Sequence, residues 1–152
     1  MNSAHIVSIT IRKAGHTEPP RLHAAELRAD HGIVGDEKAG RSPKRNLNLI
    51  AAEIHAHLSI DGQPALPGEL GEQIIVRGLD LSRLTQGTRI AIGSDVVIEI
   101  TLPRTGCAIT RDIDGPADIH PDRWLGVMAR VVRGGRVWAG DSIRVLAVTE
   151  AA

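Results

Sequence analysis

The sequence predicts a mainly β fold, a closed or nearly closed β-barrel carrying one or two short helices. Three observations carry that expectation. Short apolar runs rich in Ile and Val recur along the chain. They are punctuated by 16 glycines and 8 prolines in 152 residues, the residue types that separate strands. Only one stretch spaces its apolar residues as a helix does. A ring of short strands also removes the unpaired edges that an open sheet exposes.

Ile6 to Ile11 is β-branched at most positions and reads as a first strand. Gly15 to Pro20 is a polar turn, and Arg21 to Leu27 a second strand. Gly32-Ile33-Val34-Gly35-Asp36 brackets an apolar pair with two glycines, the pattern of a tight turn or bulge. Lys38 to Arg45 reads as a loop, with Gly40, Pro43 and the bases Lys38, Arg41, Lys44 and Arg45, and no acid. Leu47 to Ile50 is a short strand, although Asn48 equally fits a cap for the next segment. Ala51 to Leu58 is the helix candidate, because Ile50, Ile54 and Leu58 recur at i, i+4 and i+8. Gly62 to Gly71 reads as a loop, with Pro64 and Pro67. Ile74 to Val76 is a strand closed by Gly78, and Leu79 to Leu84 one loose turn.

Arg89 to Ile92 and Val96 to Leu102 form a hairpin about Gly93-Ser94-Asp95. Trp124 to Arg133 and Val137 to Val148 supply the last strands, with turns at Gly134-Gly135 and Gly140-Asp141. The count is roughly seven to nine short strands. The length suits a single domain spanning residues 1–152, with its core at about residues 5–147. No internal repeat or low-complexity tract interrupts it, and Thr149 to Ala152 is expected to fray.

Composition excludes several functions. With two Trp and no Phe or Tyr, the core must be aliphatic, and no stacking platform for single-stranded nucleic acid is expected. A net charge of zero also argues against a polyanion partner. No apolar run is long enough to span a membrane, and Met1 to Pro20 lacks the charged start and apolar stretch of a secretory signal. One cysteine cannot form an intramolecular disulfide, which suits a reducing compartment, so a cytoplasmic location is expected.

The candidate chemistry centres on that cysteine. Cys107 ends Pro103-Arg104-Thr105-Gly106-Cys107, directly after an apolar strand. Arg104 and Arg111 flank it and would lower the thiol pKa if they turned toward it. A lone cysteine equally fits a small buried hydrophobe. The basic loop can bind an anion through charge-assisted hydrogen bonds, or can simply face solvent. Seven histidines (His5, His16, His23, His31, His55, His57 and His120) are scattered without zinc-site spacing. His55 and His57 diverge on a helix. Asp36-Glu37, and Asp112 with Asp114, sit near glycines and fit turn capping. No phosphate loop, nucleophile elbow or dinucleotide fingerprint is present.

Seven stretches in order resemble a known family, the MOSC domain. They are Gly32 to Asp36, Arg45 to Ile50 followed by Ala52-Glu53, Gly68-Glu69-Leu70-Gly71-Glu72-Gln73-Ile74, Gly78 to Leu81, Arg89 to Gly93, Pro103 to Cys107, and a closing pattern from Gly126-Val127-Met128 through Gly134-Gly135 to Ala139-Gly140-Asp141. Together they cover roughly residues 5–147. The resemblance implies a β-barrel of the pyruvate-kinase-barrel type. It also implies an association with the molybdenum cofactor (molybdopterin) and with sulfur transfer.

By the same resemblance, Cys107 is the molybdenum ligand or persulfide carrier, and Thr105 helps hold the cofactor. Gln73 stands where the family usually has Asn near the cofactor's phosphate, and Glu72 matches the family's Glu. Lys38 stands where many members have His, and Asn46 where many have Gln. Arg104 and the basic loop, through Lys44 and Arg45, would hold the phosphate. The family's reductases carry a further N-terminal β-barrel domain, and its sulfurases a pyridoxal-phosphate desulfurase domain. This sequence shows neither, so no pyridoxal phosphate is expected. A cysteine desulfurase or an electron-donating reductase is the implied partner, and a homodimer mate would be another way to complete the site. Three readings remain open: a cofactor or sulfur carrier, a molybdenum-dependent reductase of N-hydroxylated compounds, and a non-catalytic interaction module.

Overall fold

The computed structural model describes residues 3–42, 46–104, 113–114 and 126–147. The strands are β1 His5–Thr10, β2 Arg21–Leu22, β3 Ala24–Arg28, β4 Gly32–Ile33 and β5 Leu47–Ala51, and after them comes one helical turn, α1 Ala52–His55. Then come β6 Ser59–Ile60, β7 Gln63–Pro64, β8 Ile74–Arg77, a 3₁₀ turn at Leu81–Arg83, β9 Arg89–Ile92 and β10 Val96–Arg104. The last four are β11 Ile113–Asp114, β12 Gly126–Arg133, β13 Gly135–Trp138 and β14 Ile143–Val145.

Eight strands form the main sheet in the order β14-β9-β10-β12-β5-β8-β1-β2. Its pairs are antiparallel except β5 with β8, which run parallel. The two ends of this sheet come back together. Ile6 N donates to Asp141 O (2.9 Å), Gly140 N to Ile6 O (2.8 Å) and Ile143 N to Ala4 O (2.9 Å), around an isolated bridge between His5 and Ser142. This seam is a bridge and not a ladder, so the barrel is an approximate one. The free edge of β1 is shared between the seam at its start and β2 at its end. Two three-stranded sheets, β13-β3-β4 and β11-β6-β7, flank the barrel.

The core is aliphatic, as the composition requires. Ile6, Ile9, Leu49, Ile74, Val76, Ile90, Ile98 and Val131 fill the barrel. Ile50 and Ile75 point the other way, into a second cluster with Leu58, Ile60 and Leu70. Both faces of the parallel pair are therefore buried, which explains why Leu49-Ile50-Ala51 and Ile74-Ile75-Val76 are consecutive apolar residues and not alternating ones. Among the described residues no helix is long and apolar enough to cross a membrane.

The mainly β expectation holds, with local corrections. The helix expected over Ala51 to Leu58 is only Ala52–His55. Ala51 stays in β5 and supplies no side-chain cap. Ile50 and Leu58 do share one apolar cluster, but as a strand residue and a post-helical residue. The periodicity thus reported a common burial, not a common helix. The expected strand Arg21 to Leu27 breaks at His23, where β3 leaves β1's neighbourhood to pair with β13. The expected loop Gly62 to Gly71 begins with a short hairpin, β6–β7. Gly135 belongs to β13, so Gly134 alone separates it from β12. The described residues hold 14 strands, more than expected, because many are two residues long.

The crossing of β12 and β5 is tight at Gly126. A Cβ there would press into the Leu49 carbonyl oxygen and come within 3.4 Å of Ile50 Cα, both backbone atoms. Gly126→Ala should therefore cost about 1–3 kcal/mol, as overpacking does, and lower the urea midpoint. An unchanged midpoint would show that the crossing is not constrained.

Candidate functional site

The ends of several strands converge on one polar centre. Arg12 lies just past β1, Asp36 in the turn after β4, and Asn48 in β5. Gly71-Glu72-Gln73 leads into β8, and Arg104 ends β10.

Asp36 is buried, and a buried carboxylate must be hydrogen-bonded to be tolerated. Its Oδ1 accepts from Lys38 N (2.7 Å), closing an Asx turn. Its Oδ2 accepts from Arg12 N (3.2 Å) and from Gln73 Nε2 (2.9 Å). Gln73 is used at every polar atom. Its Oε1 accepts from Asn48 N (2.7 Å), its backbone N donates to Asn48 O (2.9 Å), and its carbonyl accepts from Thr10 N (2.8 Å). The network fixes the orientation of the amide, because a flip would set NH2 against an N–H donor.

Glu72 turns the opposite way along the same backbone. Its Oε1 accepts from Leu70 N (3.1 Å), and its Oε2 lies 3.2 Å from His55 Nε2. The Glu72 side chain is wholly buried and that of His55 nearly so. The approach is close, but the alignment falls short of a hydrogen bond, so both atoms are unsatisfied. Arg104 completes the group. It is 6 % exposed, its Nη2 donates to the Leu70 carbonyl, and its Nη1 has no hydrogen-bond partner among the described residues.

Gly71 is the meeting point of two cations. A methyl group there would lie 2.7 Å from Arg12 Nη2 and 2.8 Å from Arg104 Nη2, and φ is +83°. Only a glycine both adopts this backbone and leaves room for two guanidiniums. Burial holds the Arg104 pKa below its ordinary value; Glu72 counteracts this and Arg12 adds to it. The Lys38 pKa is also lowered, by burial first and then by Arg12 and Arg41. Repelling cations held partly out of water are what an anion would relieve. A cavity of about 30 Å³ lies here, walled by Arg12, Asp36, Lys38, Asn48, Gly71 and Gln73. Arg12 also borders an adjoining, wider cavity of about 240 Å³.

Of the residues singled out by sequence, the structure brings Glu72, Gln73 and Arg104 together, with Lys38 and Asn46 lining the cavity. Asn46 is buried, and its Oδ1 accepts from Val131 N (2.9 Å). Lys44, Arg45, Thr105, Cys107, Arg111 and Asp112 lie outside the described residues. Asp36 does cap a turn, as expected, but it also spans three chain segments. Sequence reasoning missed Arg12 and His55. Arg12 sits among polar loop residues, and His55 carries no motif. Among the described residues no three His, Cys, Asp or Glu side chains group as a metal site.

Comparison with known proteins agrees with this fold. The family profile of the MOSC domain matches residues 36–144. The fold resembles YuaD from Bacillus subtilis, at 19% identity and TM-score 0.65, covering 95% of this chain and 96% of that one. It also resembles YiiM from Geobacillus stearothermophilus, at 17% identity and TM-score 0.67, covering 95% and 75%. YiiM from Escherichia coli is similar at 16% identity and TM-score 0.60, covering 94% and 70%. A search of the curated proteins finds no match.

The Asp36 carboxylate should matter to stability. Asp36→Ala would leave Gln73 Nε2 and two backbone N–H groups without their acceptor. We expect a loss of about 3 kcal/mol, read from urea unfolding. A loss below about 1 kcal/mol would mean that water replaces the carboxylate.

Proposed function

Because the chain belongs to the MOSC domain family, we propose that its polar centre binds the molybdenum cofactor by the phosphate end, with Cys107 as the soft ligand to the metal. The family is associated with that cofactor. One observation carries the reading on this chain. Arg12 and Arg104 converge on Gly71, and Arg104 keeps a buried, unpartnered Nη1.

The donors suit the group. A phosphate dianion needs several N–H donors and gains most from guanidinium. Arg12 and Lys38 line the small cavity, and Arg104, which meets Arg12 at Gly71, holds a further buried donor at Nη1 for an anion that reaches it. Gln73 acts indirectly, since its amide is spent on Asp36 and Asn48. It holds the floor of the cavity and leaves the arginines to meet the anion. Arg12 lines both cavities, and this reading puts the phosphate in the small one and the body of the ligand in the larger.

Cys107 comes three residues after Arg104 in sequence, so the thiol and the anion site are tethered to one strand end. A thiolate suits a soft metal centre, and it is also the form that would accept a sulfane sulfur. When bound, the cofactor supplies molybdenum redox chemistry, and the protein supplies its binding and orientation. A desulfurase or an external electron donor would then be the partner.

Arg104→Gln should weaken sulfate binding about tenfold or more by calorimetry, the loss of a charge-assisted contact. Protein purified from a molybdenum-replete host should carry molybdenum and pterin. Arg104→Gln should lose both, and Cys107→Ala should lose the metal. Equal molybdenum in wild type and Cys107→Ala would remove the ligand role. Unchanged sulfate affinity in Arg104→Gln would remove the anion site.

A further inference from the structure

His55 lies behind the anion site, and nothing in the cofactor reading uses it. It is buried, on the single turn of α1. Its Nε2 faces Glu72 Oε2 at 3.2 Å. Glu72 in turn shares a residue's backbone with Arg104. Leu70 N–H donates to Glu72 Oε1, and Leu70 C=O accepts from Arg104 Nη2. Three buried polar atoms in this row, His55 Nε2, Glu72 Oε2 and Arg104 Nη1, have no hydrogen-bond partner.

We infer that His55 is a positioning residue for the anion site, acting through Glu72 on Arg104, so that protonated His55 takes up the Glu72 charge and frees that of Arg104 for an incoming anion. The inference rests on the anion reading above and adds a control to it. The physics is a competition. With His55 neutral, the Glu72 carboxylate is the counter-charge nearest Arg104 in this row, and its effect on the guanidinium is favourable. An anion arriving at Arg104 then meets a cation already half balanced. With His55 charged, Glu72 has two cations to serve, and the row gains one positive charge. In a buried setting such charges are poorly screened.

Among the described residues, no other charge faces His55 from the strands beneath it. α1 packs on β5 and β8, whose only charged residue is the exposed Arg77. On α1 itself, Glu53 is exposed and its Oε2 accepts from Gly78 N (2.9 Å). His57, past the turn, is exposed. Two further imidazoles lie nearby, His16 beside Arg12 in the wider cavity and His31 under Gly40. They remain in place when His55 is replaced, so the comparison isolates His55.

Anion binding favours the protonated imidazole, so it raises the His55 pKa. The extra affinity is complete below the pKa of the free protein and is lost as pH rises through that of the complex. Sulfate is the probe, because it stays a dianion throughout. From about pH 8 to about pH 5.5, wild-type affinity should rise several-fold. His55→Gln keeps an N–H toward Glu72 but cannot titrate, and should show a markedly flatter profile. An equal rise in His55→Gln overturns the proposal.

A second readout needs no ligand. The His55 ring titration, tracked by NMR, should move up by about half a unit or more in Arg104→Gln, where the competing cation is gone. No movement overturns the link to Arg104. Where that variant fails to fold, saturating sulfate on the wild type must move the same titration upward, and a fixed midpoint overturns it. If wild-type protein binds no sulfate, the anion reading falls, while the Arg104→Gln titration still decides whether the three residues are coupled.

Discussion

The hydrogen bond from Gln73 to the buried Asp36 carboxylate ties the chain together where the strand ladders run out. Asp36 gathers the backbone just past β1, the start of the basic loop and the entry to β8. Gln73 extends the tie to β5 through both its side chain and its backbone. Burying a carboxylate is costly, and three donors offset that cost. Such a group is satisfied in one geometry only, so it fixes the relative placement of the strand ends more sharply than aliphatic packing does. The cavity exists because those ends are held apart at a set distance.

Three consecutive residues then divide the work. Gly71 leaves the space into which two guanidiniums reach. Glu72 turns inward to His55, and Gln73 turns to Asp36. The Glu72 and Gln73 side chains leave the backbone toward different partners, so one tripeptide serves both the floor of the cavity and the row behind it. The two buried carboxylates are met differently. Asp36 is saturated by three donors, while Glu72 retains an unsatisfied oxygen. That asymmetry makes Glu72, and not Asp36, the acid whose charge can be redistributed.

The strands that read well from sequence are those with β-branched runs closed by a glycine turn, such as β1, β9 and β10. Local pattern carries that information. The parallel pairing of β5 with β8 does not show in either segment, because register is set by contacts 25 residues apart, such as Asn48 with Gln73. The helical spacing of Ile50, Ile54 and Leu58 misled for a related reason: burial on a common cluster mimics a helical stripe. The site was legible where it coincides with ordered motifs, at Gly32 to Asp36, at Gly68 to Ile74 and at Pro103-Arg104. Arg12 lies before the matched family segment, and its polar surroundings resemble any loop. His55 looked like half of a divergent histidine pair, and only its burial against Glu72 distinguishes it from His57.

A net charge of zero counts against a polyanion and leaves a small anion untouched, and the geometry shows why the two differ. A polymer backbone is bound by exposed cations spread along a groove, each meeting one phosphate. Here Arg104 is 6 % exposed, and its partner cations close around a space of about 30 Å³. The charge is also used differently. At a surface, salt screens it; in this setting, desolvation has already raised the cost of keeping the guanidinium ionised. An anion arriving there would relieve that cost. A buried cation whose nitrogen has no partner among the described residues suits a small ligand that ends in its anion better than one whose charges continue along a chain.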